Sequence, residues 1–124
     1  MTLENAKREL LLLLSSWKRG EIDSPWHVQD QAESIEQQLV DCKQLGPQRQ
    51  ADGLADQVKG VLDQLSNAQA QYVLPEDIDV MRELLEAPEL DVKDILTRYS
   101  YYWDTVDYSS REAEAREYWF GKKT

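Results

Sequence analysis

Apolar residues return at steps of three and four along most of the chain, the spacing of one face of an α-helix. Leu3, Ala6, Leu10, Leu13, Leu14 and Trp17 make the first such stripe. It predicts a helix over residues 3–19 that stops at Gly20, with Lys18 and Arg19 as cations in its last turn. Ser24-Pro25 restarts a helix, since serine caps free N–H groups and proline suits the first helical position. Val28, Ala32, Ile35, Leu39 and Cys42 form its stripe, and Gly46-Pro47 is the expected end. A third stripe follows with Ala51, Leu54, Val58, Val61, Leu62 and Leu65. Gly53 and Gly60 weaken that helix, each by up to about 1 kcal/mol relative to alanine, and are candidate points of close helix approach.

Residues 66–72 read as a connection. Leu74-Pro75-Glu76-Asp77 opens a fourth helix, with proline and two acids where the helix dipole favours them. Its stripe is Ile78, Met81, Leu84 and Leu85, and Ala87-Pro88 stops it. Asp91 is the expected cap of a fifth helix carrying Val92, Ile95, Leu96, Tyr99, Tyr102, Trp103 and Val106. A sixth starts near Ser109, where Ser109 and Glu112 have capping-box spacing. It ends at Gly121, with Tyr118, Trp119 and Phe120 as its anchor. No stretch alternates as a strand does. The pattern predicts an all-α fold, a compact bundle of five to six helices in a single domain over residues 1–124.

Composition agrees with long regular elements, for the chain has only five glycines and four prolines. Hydrophobic residues make up 41%, enough material for a core. The lone Cys42 cannot form an internal disulfide, so no oxidising compartment is implied, and a small buried hydrophobe is its expected role. The first residues lack a secretory pattern, and the apolar run Leu10 to Leu14 falls far short of the roughly 20 residues of a membrane span. A cytoplasmic location is expected. Net charge is −10, from 24 acids against 14 bases. Such a chain is repelled by phosphate polyanions and anionic membranes, and it steers a basic protein toward itself.

Candidate chemistry is sparse. The single histidine, His27, sits in the first turn of the second helix, fifteen positions from Cys42 on the same helix. At 1.5 Å per residue they lie roughly 22 Å apart and cannot pair along one straight helix. The sequence has no CxxC, HExxH, EF-hand loop, Glu-x-x-His pair or glycine-rich phosphate cradle. Carboxylate pairs at i,i+3, such as Glu33 and Glu36 or Asp104 and Asp107, are ordinary on acidic helices. Nothing selects one pair for acid–base work, so no enzyme, metal or cofactor is expected.

Binding chemistry is richer. Residues 76–117 carry thirteen acids against five bases. The same stretch holds Tyr99, Tyr101, Tyr102, Trp103 and Tyr108. At 100° per residue Tyr99, Tyr102, Trp103 and Val106 share a face, and Tyr101 points away, toward the side bearing Asp94, Arg98 and Asp104. Exposed tyrosines supply hot spots and charges steer approach, so Tyr101, Asp104, Asp107 and Tyr108 are the first candidate partner-binding set. Asp107 is equally suited to cap the helix that follows. Glu76, Asp77, Asp79 and Glu83 crowd the fourth helix as a second patch, where like charges at i,i+4 repel and a basic partner brings relief.

Three strings also carry a likeness: Trp17-Lys18-Arg19-Gly20-Glu21-Ile22 after a leucine-rich first helix, Leu74-Pro75-Glu76-Asp77-Ile78, and Tyr101-Tyr102-Trp103-Asp104-Thr105-Val106-Asp107-Tyr108. With the general plan of the chain, they resemble the small acidic helical immunity proteins that neutralise bacteriocins or contact-dependent inhibition toxins in bacteria. That resemblance implies a tight one-to-one complex with a basic cognate toxin, often a nuclease, whose functional surface is covered by acids and tyrosines. The chain lacks the paired tyrosine-and-acid motif of the colicin DNase inhibitors, and no binding residue is carried over. The expectation is therefore an immunity-like or antitoxin-like protein inhibitor, a monomer or weak homodimer. The alternatives are a structural or adaptor subunit that self-associates through an apolar helix face and, third, an enzyme or small-ligand domain with buried carboxylates.

Overall fold

In the computed structural model, residues 1–22, 24–43, 53–66, 69–86 and 92–120 are described. They form six α-helices and no strand: α1 Leu3–Lys18, α2 Pro25–Asp41, α3 Gly53–Leu65, α4 Pro75–Glu86, α5 Val92–Asp104 and α6 Tyr108–Phe120. A short 3₁₀ turn, Gln69–Tyr72, leads into α4. The chain is an all-α bundle. The expectations placed on Gly46-Pro47, Ala51, Ala87-Pro88, Asp91 and Gly121, and on the side chains of Val92, Ile95 and Leu96, fall outside the described residues.

The first two helices obey local rules. Thr2 caps α1, its hydroxyl accepting the Asn5 N–H at 3.2 Å. Gly20, at φ 80°, closes the other end. There the Gly20 N–H bonds the Trp17 carbonyl at 3.1 Å and the Glu21 N–H bonds the Ser16 carbonyl at 3.0 Å, the two bonds of a Schellman motif. Ser24 caps α2 by accepting the Trp26 N–H, and Pro25 takes the first turn as expected. The end of α2 differs from the reading of the sequence. The helix stops at Asp41, with Lys43 in the left-handed region at φ 58°, a position that favours glycine. Cys42 thereby leaves the apolar stripe and is exposed, its thiol 3.3 Å from the Met1 amine.

The core draws on five helices. Ala6, Leu10, Leu14 and Trp17 of α1 pack with Val28, Ala32 and Leu39 of α2, Val58, Val61, Leu62 and Leu65 of α3, and Ile78, Met81, Leu84 and Leu85 of α4. Tyr99 and Trp103 of α5 close the cluster. The third helix is central, touching α1, α2, α4 and α5. Two polar bonds fix its approach: Gln57 Nε2 donates to the Leu84 carbonyl at 2.7 Å, and the Tyr99 hydroxyl to the Gly60 carbonyl at 3.4 Å.

The last helix is attached differently. Ala115 is its one buried side chain among the described residues. It lies across the 3₁₀ turn. Trp119 stacks on the buried Trp17 at a centroid distance of 4.8 Å and donates its Nε1–H to the Val73 carbonyl at 2.6 Å. Tyr118 and Phe120 stay more than a third exposed, so Trp119 alone of the three aromatic residues is the anchor.

Candidate functional site

The eight carboxylates and tyrosines singled out from the sequence fall into three situations. Asp77 is inside. It occupies the third position of α4, and its Oδ2 accepts the Leu74 N–H at 2.8 Å, the carboxylate half of a capping box. The Arg111 guanidinium of α6 donates to the same Oδ2 at 2.6 Å, and the Tyr102 hydroxyl of α5 donates to Oδ1. With a fully buried side chain, Asp77 is not a surface contact, and its place in the second patch is corrected. Geometry explains why: the third residue of a helix turns back toward the cap, and here that direction is into the α4–α5–α6 junction.

The network sets the charge state of its members. Burial, with the hydrogen bond to Asp77, pushes the Tyr102 phenol up to about 12. Burial opposes the Arg111 charge, yet attraction to Asp77, Tyr102 and Glu76 holds its pKa above the ordinary value. Tyr99, buried against Trp103, is also raised, chiefly by desolvation.

Glu76 and Asp79 are on the surface but already attended. Glu76 lies 4.0 Å from Arg111. Asp79 bonds the Lys18 ammonium of α1 and lies 3.9 Å from Arg82. Their charges are thus partly answered within the molecule.

The remaining residues lie along the outside of α5, at the α5–α6 turn and on the neighbouring edge of α4. Along the outside of α5, Asp94, Thr97, Arg98, Tyr101 and Asp104 are exposed at helical spacing, and Thr105 continues the row just past its end. Tyr101 is 72% exposed, as its position opposite the core stripe predicts. Beyond the turn, Asp107 caps α6: its Oδ1 accepts the Ser109 N–H at 3.2 Å and its Oδ2 the Ser110 hydroxyl at 3.1 Å. This corrects the capping box at Ser109, because α6 begins one residue earlier. Tyr108 is 37% exposed and rests edge-on against Tyr72 at 5.0 Å. Burial first, and then the Asp104 charge, raises its pKa.

Glu83 of α4 borders this face. With Val80, Arg98, Tyr99 and Tyr102 it lines a hollow of about 170 Å³ between α4 and α5. Among the described residues, Glu83, Asp94, Asp104 and Asp107 have no cation within ion-pair distance. Among the described residues, the face and its border therefore display four carboxylates without an ion-pair partner, the Arg98 guanidinium and a projecting tyrosine. Sequence reasoning missed Arg111 and Tyr72, which hold Asp77 and Tyr108 in place. Neither carries a local signal, since each acts on a residue more than thirty positions away.

Among the described residues no three His, Cys, Asp or Glu side chains gather as a metal-binding group. Among the described residues no helix is long and apolar enough to cross a membrane. His27 and Cys42 lie at opposite ends of α2, which packs on α1, α3 and the 3₁₀ turn and away from the α5 face. No family model matches the chain, and no curated protein and no solved structure is similar to it at a significant level.

Proposed function

We propose that the chain is a protein-binding inhibitor of the immunity or antitoxin kind, which covers the functional surface of a basic toxin with the α5 face and the α5–α6 turn. The observation that carries this reading is Tyr101, 72% exposed in a row of carboxylates that have no cation within ion-pair distance among the described residues. A tyrosine held out on a rigid helix offers a large amphipathic contact at small entropic cost, and such residues dominate interface energies. Asp94, Asp104, Asp107 and Glu83 supply the complementary charge. The net −10 of the whole chain adds long-range attraction, which acts on the association rate. The cytoplasm of a bacterium is the setting in which such an inhibitor protects its producer.

The test is co-expression with a basic toxin domain, the kind of partner this reading requires. The inhibitor reading expects a one-to-one complex and survival of the producing cell. Replacing both Tyr101→Ala and Asp104→Asn is expected to weaken the complex about 30-fold, the effect of one hot-spot tyrosine. Survival that is indifferent to both substitutions rejects this face as the binding surface.

A further inference from the structure

Five leucines stand in a row at positions 10 to 14 of α1, more than the core uses. Leu10 and Leu14 are fully buried, yet Leu12 is 62% exposed and Leu13 only partly covered. A helix that is apolar beyond one stripe has a second surface to cover. The surplus opens into a groove of about 590 Å³ between α1 and α2. Its apolar lining is Leu12, Leu13, Ile22 and Ile35, and its charged lining is Glu9 and Glu21, with no cation among the lining residues. Along α1 it runs from Glu9 to Ser16, roughly 11 Å or two helical turns. The α1–α2 loop closes one end with Glu21, whose carboxylate is gripped by Arg19 and whose pKa that grip lowers. At the other end the Glu9 carboxylate has no cation within ion-pair distance among the described residues. Packing in the bundle joins α5 to α3 and α4, so the groove is a surface separate from the α5 face.

We infer that this groove is a second docking site, which takes an amphipathic helical segment of a partner protein with leucine-like side chains on one face and lysine or arginine on its flank. Charge decides the occupant. A second copy of this chain brings another −10 and the same unanswered Glu9, so self-association sets like against like. A cationic amphipathic helix lays its apolar face on Leu12, Leu13 and Ile35 and brings a positive group to Glu9, the helix-in-groove mode of peptide recognition. The site stands whether or not the α5 face holds a toxin.

The probe is a fluorescein-labelled leucine–lysine peptide of about 14 residues, long enough to form a helix on binding. Its control is a permutation of the same composition without an apolar face. Fluorescence anisotropy is expected to show the amphipathic peptide bound at least about tenfold more tightly than the permuted one. The variant Leu12→Asn with Glu9→Gln alters two exposed positions and is expected to keep its fold by circular dichroism. It is expected to weaken the amphipathic peptide about tenfold, with Tyr101→Ala plus Asp104→Asn leaving it within about twofold. Equal affinity for both peptides reduces the effect to bulk charge and overturns the inference. So does loss of binding in the Tyr101 variant instead of the Leu12 variant. A dimer by sedimentation that Leu12→Asn dissolves makes a second copy the occupant and overturns it equally.

Discussion

Asp77 joins three helices through one carboxylate: the Leu74 N–H at the start of α4, the Tyr102 hydroxyl of α5 and the Arg111 guanidinium of α6. Removing one partner of a buried ion pair leaves the other charge desolvated and unanswered. Asp77→Ala is therefore expected to lower stability by about 3 kcal/mol in urea denaturation. Adding Arg111→Met is expected to restore part of the loss, because the stranded guanidinium goes with it. Full additivity contradicts the pairing. Tyr102 supplies a pH signature. Its folded pKa, about 12, lies above that of the unfolded chain, so the folded state holds this proton more tightly. The resulting stability is complete below about pH 10 and is lost as pH rises toward about 12. Tyr102→Phe is expected to flatten that decline relative to the parent, and an unchanged alkaline profile contradicts the assignment.

Among the elements, α1 was the most legible, because most of its stripe and both of its ends are decided by neighbours in sequence, although Leu13 of that stripe is only partly covered. Thr2, Gly20 and the Schellman bonds act within a few residues. The end of α2 was not, since Cys42 continues the apolar spacing although Lys43 already turns left-handed. The two termini make a paired test. Gly20→Ala places a side chain at positive φ and is expected to cost about 1 kcal/mol, whereas Lys43→Gly is expected to gain about the same. Thermal melting checks both, and matching signs contradict the description. The start of α6 was misplaced because Asp107 and Ser109 are both good caps two positions apart. The site was legible only in part, for related reasons. Tyr101 and its row of acids follow from helical angle alone. The internal role of Asp77 depends on Arg111, 34 positions on, and the capture of Asp79 on Lys18, 61 positions back. Spacing within one helix carries no record of such distant pairs.

The whole molecule is a helical body whose negative charge is spread unevenly. Asp77, Asp79 and Glu76 are answered by Arg111, Lys18 and Arg82, and the α5 face is left in excess. Leu12 and the α1–α2 groove give the bundle a second, more apolar surface. Electrostatic capture and apolar docking differ in their response to salt, since exposed charges separated by more than about 10 Å are screened at 0.1 M ionic strength. The most direct measurement is the association rate constant of the chain with a basic toxin domain of the kind proposed, taken by stopped flow across ionic strength. An inhibitor that works through the α5 face associates at least about tenfold more slowly at roughly 0.3 M than at roughly 0.03 M salt. In that case Asp104→Asn with Asp107→Ser also reduces the slope. A rate that stays constant across the series, in the parent and the variant alike, contradicts the account.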